Sequence, residues 1–159
     1  MPSLPSEHYL TAGEPMGGER KILRLTLTNR EEEIARVKEE FETFASEHGV
    51  SSADRQRFAL VFDELLSNII FYAFDDSEEH EISVVVEVAG KRLVVAISDD
   101  GKPFNPFAHE TPDTSASVED REIGGLGIHI VKNVMDEATY DRRAERNLVT
   151  VAKLIDRTP

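Results

Sequence analysis

Glu64 and Asn68, a carboxylate and a carboxamide one helical turn apart, are the residues here whose types and spacing could do chemistry. They lie in Phe58–Phe74, FALVFDELLSNIIFYAF, where Phe58, Val61, Phe62, Leu65, Ile69, Tyr72 and Ala73 recur at helical spacing and share one broad face. At about 100° per residue, both polar residues fall at the edge of that face, where core packing asks for neither. A carboxylate there can take a proton or polarise a hydroxyl. An amide oxygen one turn away can hold a hard cation such as Mg²⁺. An ordinary solvated helix edge would also carry E-x-x-x-N, so the pair alone decides nothing.

Two more signals lie downstream. Asp99-Asp100-Gly101 ends an apolar run, where a carboxylate is costly unless paired. Such a carboxylate could accept from an exocyclic amine and so read adenine, with Gly101 letting a ring approach the backbone; a plain turn is the commoner meaning of the tripeptide. Gly124, Gly125, Leu126 and Gly127 open a helix, and glycines there let backbone N–H groups approach an anion with the helix dipole behind them. G-G-L-G is neither G-x-G-x-x-G nor a P-loop, and a flexible hinge explains it about as well.

The elements that must hold these residues follow from periodicity. Residues 1–19, with three prolines and three glycines, read as a mobile tail before one domain over 20–159. Lys21–Thr28 alternates as a half-buried strand. Thr28-x-x-Glu31 reads as a capping box for a first helix with Ile34, Val37, Phe41 and Phe44 inward, closed by Gly49. Ser51-x-x-Asp54 opens the second helix, which carries Glu64 and Asn68. A hairpin turning at Ala89-Gly90-Lys91 follows, with Ile82, Val84, Val86 and Val88 on one face of its first strand and Leu93, Val95 and Ile97 on one face of its second.

From Lys102 to Ile123 no period holds, and the stretch reads as a functional lid. The glycine cluster then opens a helix through Asp136, with Ile128, Val131, Val134 and Met135 inward. Strands at about 138–143 and 148–155 close the chain around a turn at Ala144-Glu145-Arg146-Asn147. The expected architecture is an α/β (α+β) two-layer sandwich, a mostly antiparallel sheet with its helices on one face.

Composition narrows the function by exclusion. With no cysteine there are no disulfides, thiolate metal sites or cysteine nucleophiles. The net charge of −13 disfavours nucleic acid and anionic lipid and suits a basic protein partner, though scattered acids also serve solubility. No apolar run reaches the roughly 20 residues of a membrane span and no signal-peptide core is present, so a cytoplasmic location is expected by elimination.

The order of these signals carries a resemblance. The chain resembles the ATP-binding superfamily shared by gyrase, histidine kinases, heat-shock chaperone ATPases and MutL, called GHKL, and within it the bacterial anti-sigma factors that are serine protein kinases. VFDELLSNIIFYAF looks like their N box, SDDGKPFNPF like their first glycine box, REIGGLGIHIVKNVMDEATY like their second, and RNLVTVAKL like their closing strand. The resemblance covers about residues 20–155. It implies the GHKL (Bergerat-type) fold, ATP and Mg²⁺ as cofactors, and Glu64 as the general base that activates the acceptor serine.

It further implies Asn68 as the Mg²⁺ ligand, Asp99 on the adenine amino group with Gly101 beneath the ring, and Gly124, Gly125, Leu126 and Gly127 along the phosphates. Thr150 would join Asp99 near the base through a water. The implied partners are an STAS-type anti-anti-sigma protein, which receives the phosphate, and a sigma factor or similar regulator, which is sequestered by a homodimer. The chain departs from many such kinases in carrying Tyr72 where they have a histidine, and in its GGLGIHIV segment. An ATP-gated regulatory binding module without kinase activity is the alternative reading.

Overall fold

The computed structural model describes residues 19–108 and 125–158. In chain order they form β1 (Lys21–Thr28), α1 (Glu32–Glu47), α2 (Ser52–Tyr72), β2 (Glu81–Ala89), β3 (Arg92–Asp99), α3 (Gly125–Val134), β4 (Glu137–Arg143) and β5 (Arg146–Leu154). The strands make one five-stranded sheet in the order β1-β2-β3-β5-β4, antiparallel at every pairing. This is the α+β sandwich expected from the sequence. The proposed tail falls on residues 1–18, outside the described residues, apart from Glu19.

Alternation along the strands decides which face meets the helices. Ile82, Val84, Val86 and Val88 of β2 and Leu93, Val95 and Ile97 of β3 join the main core with residues of all three helices. The other parity forms a second cluster, with Val85, Val94, Ala96, Leu148 and Ala152 buried together and Ile22 packed on it. Glu87 is also buried, held by the forked guanidinium of Arg20 at 2.8 and 3.1 Å. In the main core, Phe41 of α1 meets Phe58 and Phe62 of α2 at 5.7 and 5.1 Å between ring centroids. Truncating one such fully buried phenylalanine to alanine would cost about 3–5 kcal/mol, so this contact fixes α1 on α2.

Local signals succeed where a side chain reaches a backbone group. Ser51 Oγ accepts from Asp54 N at 3.2 Å, capping α2 as expected. Asp54, 2% exposed, also accepts from Asp156 N at 2.9 Å, tying the end of the chain to the start of α2. Gly49, at φ 75°, follows the α1 C-cap, and Val50 N returns to Ala45 O.

Three expectations need correction. The Thr28–Glu31 box does not form: α1 starts at Glu32 without a side-chain cap, and Thr28 Oγ1 instead reaches Glu33 Oε1 at 3.4 Å. α3 ends at Val134 rather than Asp136, because Asp136 N donates to Ala152 O and joins the sheet instead. The last hairpin turns through Ala144-Glu145 alone, since Arg146 and Asn147 already pair with Arg143 and Arg142.

Candidate active site

Asp99 is placed by the middle of the sheet. β3 is its central strand, and the register sets Asp99 opposite both Ile82 of β2 and Asn147 of β5. It is 2% exposed. Burial pushes its carboxyl above the ordinary aspartate range, against the opposing pull of hydrogen bonds from Asn147 and the Gly101 backbone. Gly101 N donates to Oδ1 at 2.8 Å and Asn147 Nδ2 donates to the same oxygen at 3.0 Å. Among the described residues no donor meets Oδ2.

A cavity of about 420 Å³ opens beside this carboxylate. Its apolar wall comes from Leu65 and Ile69 of α2 and Val149 of β5, and Asn68, Asp99, Lys102 and Asn147 supply polar groups. An apolar slot with a few convergent polar groups is the usual make-up of a small-molecule site. Tyr72 and Phe104 form part of the rim, 39% and 42% exposed. Tyr72 is therefore no part of the buried stripe expected of α2; Leu66 is buried in the core instead.

Glu64 lies one turn before Asn68 on α2, half-buried. Loss of water, then the neighbouring Asp63 charge, raises its pKa above the ordinary glutamate value. It touches α3: a Cβ built on Gly127 would overlap Glu64 Oε2 and Cδ outright. Gly127 therefore leaves the Glu64 carboxylate the space that any larger residue at 127 would take from it. The structure thus brings Asn68 and Asp99 together in the cavity lining, while Glu64, one turn before Asn68, lies outside that lining and against Gly127 of α3. Gly125 and Leu126 lie in the first turn of α3, and Gly124 lies outside the described residues.

Gly101 is required by its neighbours, since a Cβ there would come within 2.6 Å of Ala73 Cβ and Ala73 O. Thr150 does not stand as expected. Thr150 pairs with Ala96 and shares the strand parity of Leu148 and Ala152, which puts it on the sheet face away from the cavity. The polar neighbour of Asp99 on β5 is Asn147, 4% exposed. The sequence carried one usable signal for it: three residues from Thr150, it has the opposite strand parity. The first residues of the expected lid, 102–108, are held to the domain. Lys102 N donates to Ala73 O, Asn105 Oδ1 accepts from Phe107 N, Pro106 is buried and Phe107 packs on the main core. The stretch from 109 to 123 lies outside the described residues.

The donor set fits a magnesium nucleotide. Among the described residues no group of three or more His, Asp or Glu is placed to hold a metal alone. Mg²⁺ that arrives with a nucleotide keeps its waters and phosphate oxygens and needs only one or two protein ligands, which the Asn68 carboxamide on the cavity wall can supply. Also among the described residues, no helix is long and apolar enough to cross a membrane.

Residues 27–153 match the family model of the histidine kinase-like ATPase domain. The serine/threonine-protein kinase BtrW of Bordetella bronchiseptica is 28% identical over 99 residues, covering 61% of this chain and 70% of that protein. The serine-protein kinase RsbW of Bacillus velezensis is 30% identical over 98 residues, covering 58% of this chain and 61% of the relative. The RsbW protein of Bacillus subtilis is 26% identical over 113 residues, covering 68% of each.

Proposed function

This chain belongs to the histidine kinase-like ATPase domain family, and from that premise we propose that it is a Mg-ATP-dependent serine protein kinase of the anti-sigma-factor type. It passes the γ-phosphate of ATP to a serine of a small STAS-type antagonist and, as a homodimer, sequesters a sigma factor or similar regulator. The observation that carries the reading is Glu64: a half-buried carboxylate with a raised pKa, one turn from Asn68 and against Gly127 of α3. A nucleotide sensor has no need of a base at that place, whereas serine transfer does. The names of the similar proteins, one serine/threonine-protein kinase and two serine-protein kinases, support the same class.

Each side chain then has a task. The apolar wall receives the adenine and Asp99 Oδ2 accepts from its amino group, which orients the base. Asn68 would hold Mg²⁺, which when bound offsets charge on the phosphates. The first turn of α3, with Gly124 before it, directs backbone N–H groups toward the phosphates. Glu64 accepts the serine proton as the serine oxygen bonds to the γ-phosphorus; the bond from that phosphorus to the bridging oxygen breaks, and ADP leaves with the electron pair. The raised pKa of Glu64 suits a base that must let the proton go again near neutral pH.

The test is transfer itself. The protein is incubated with γ-labelled Mg-ATP and the small proteins that co-purify with it from its host, followed by phosphosite mapping. The expected result is one phosphoserine on a small antagonist. Retention of that antagonist in an ATP-dependent complex, without phosphate transfer, would instead favour the ATP-gated binding module.

A further inference from the structure

The carboxamide of Asn147 has an orientation fixed by partners that can act in only one sense. Arg142 Nη1, which only donates, lies 3.1 Å from Asn147 Oδ1, and Tyr140 donates to the same oxygen at 2.6 Å. On the other side, the main-chain oxygen of Lys102, which only accepts, lies 2.9 Å from Nδ2. Reversing the amide would set its NH₂ against the guanidinium and its oxygen against a carbonyl, leaving buried groups mismatched at both ends. The NH₂ therefore faces Asp99 Oδ1, and Arg142 braces the same turn by donating to Gly101 O at 2.8 Å.

This arrangement decides what Asp99 can offer a ligand. Oδ1 already takes two donors, the Gly101 N–H and the Asn147 NH₂. Burial is the largest influence on this carboxyl and raises its pKa, opposed by the hydrogen bonds from Asn147 and the Gly101 N–H and by the positive charge of Arg146. In the ionised form the other oxygen, Oδ2, is a pure acceptor, and Asp99 lines the cavity.

We infer that Asn147, oriented by Tyr140 and Arg142, sets the base specificity of the site: by saturating Asp99 Oδ1 it leaves Oδ2 to accept from a 6-amino purine and to repel a 6-oxo purine. The inference rests on the adenine reading proposed above. It assigns a specificity-determining role to a residue of β5 and a positioning role to two residues of β4, a strand that lends no residue to the cavity lining.

The experiment titrates the full chain with ADP and with IDP, its 6-oxo counterpart, in the presence of Mg²⁺. The two nucleotides carry the same phosphates, so the ratio of their affinities isolates the base. Wild type should prefer ADP by about tenfold or more, the scale of one hydrogen bond to a charged group. Asn147→Asp should lose most of that preference, because two facing carboxylates share a proton and Asp99 can then donate to a 6-oxo group. Tyr140→Phe should lower the ratio several-fold without changing the phosphate contacts, an effect that a merely structural role would not produce. In wild type, mild acid should lower the ratio as Asp99 gains a proton.

A ratio unmoved by Asn147→Asp overturns the inference; if that variant does not fold, an unmoved ratio in Tyr140→Phe does so. Wild type that binds neither nucleotide, or both equally, overturns the adenine reading and this inference with it. Normal ADP preference with insensitive variants removes the inference alone.

Discussion

Gly127 and Asp99 each carry a cost that the proposed function would explain. A methyl group at 127 would occupy the space of the Glu64 carboxylate, so either Glu64 swings aside or α3 shifts. Glycine-to-alanine inside a helix ordinarily stabilises by roughly 1 kcal/mol; here that gain is opposed by the clash. Gly127→Ala should therefore bind nucleotide yet lose about tenfold or more in single-turnover phosphotransfer, since small misplacements of a catalytic group are costly. An alanine variant with the wild-type transfer rate would show that Glu64 need not stay where Gly127 lets it lie. Asp99 makes a complementary case. Its folded pKa is raised, so folding binds its proton more tightly than the unfolded chain does. Stability thus falls as pH rises from the unfolded to the folded pKa, and the penalty is fully present above the latter. Asp99→Asn keeps an oxygen for Gly101 N–H and Asn147. It should melt higher than wild type at neutral pH, with the gap closing in acid, while ADP titration shows binding lost. A lower melting temperature at neutral pH would contradict this account of Asp99.

At the scale of elements, the β4–β5 hairpin is the one turned against local preference. Ala144 and Glu145 take φ values of 50° and 64°, the left-handed region that a two-residue hairpin turn of this kind reserves for Asn and Gly. Replacing them by Asn-Gly should stabilise the fold by about 1 kcal/mol, read as a higher urea midpoint at an unchanged slope; a lower midpoint would show that the two side chains make contacts worth more than the strain. The same turn explains why its position was not legible in the sequence: Ala-Glu carries no turn signal, and the broader stretch 144–147 was the natural choice. Where spacing met a buried face, the sequence was a sound guide. The alternation of Ile82–Val88 and Leu93–Ile97 gives the core face as found, and Ser51 with Asp54 marks the start of α2. Parity also held the information that was missed. Asn147 and Thr150 are an odd number of residues apart in one strand, so only one can face the cavity, and the pairing of Asp99 with Asn147 settles which. No local pattern announces such a cross-strand partner, or that Gly101 is wedged against Ala73.

For the whole molecule, the site joins parts distant in sequence. The central strand brings Asp99, the last strand Asn147, α2 the Glu64–Asn68 pair and α3 the glycine turn that closes on Glu64. The net charge of −13 suits a protein acceptor whose docking face is basic. The central claim is that Glu64 acts as a base in serine phosphorylation. The most direct measurement is single-turnover transfer of labelled γ-phosphate to the cognate antagonist by wild type and Glu64→Gln, beside a nucleotide titration of both. Loss of the base should leave Mg-ATP affinity nearly unchanged, because Glu64 does its work only in the transition state, and should slow transfer by about 100-fold or more. In wild type, transfer should also decline as pH falls through the raised pKa of Glu64, at a higher pH than for an ordinary glutamate. Glu64→Gln that transfers phosphate at the wild-type rate would contradict the account.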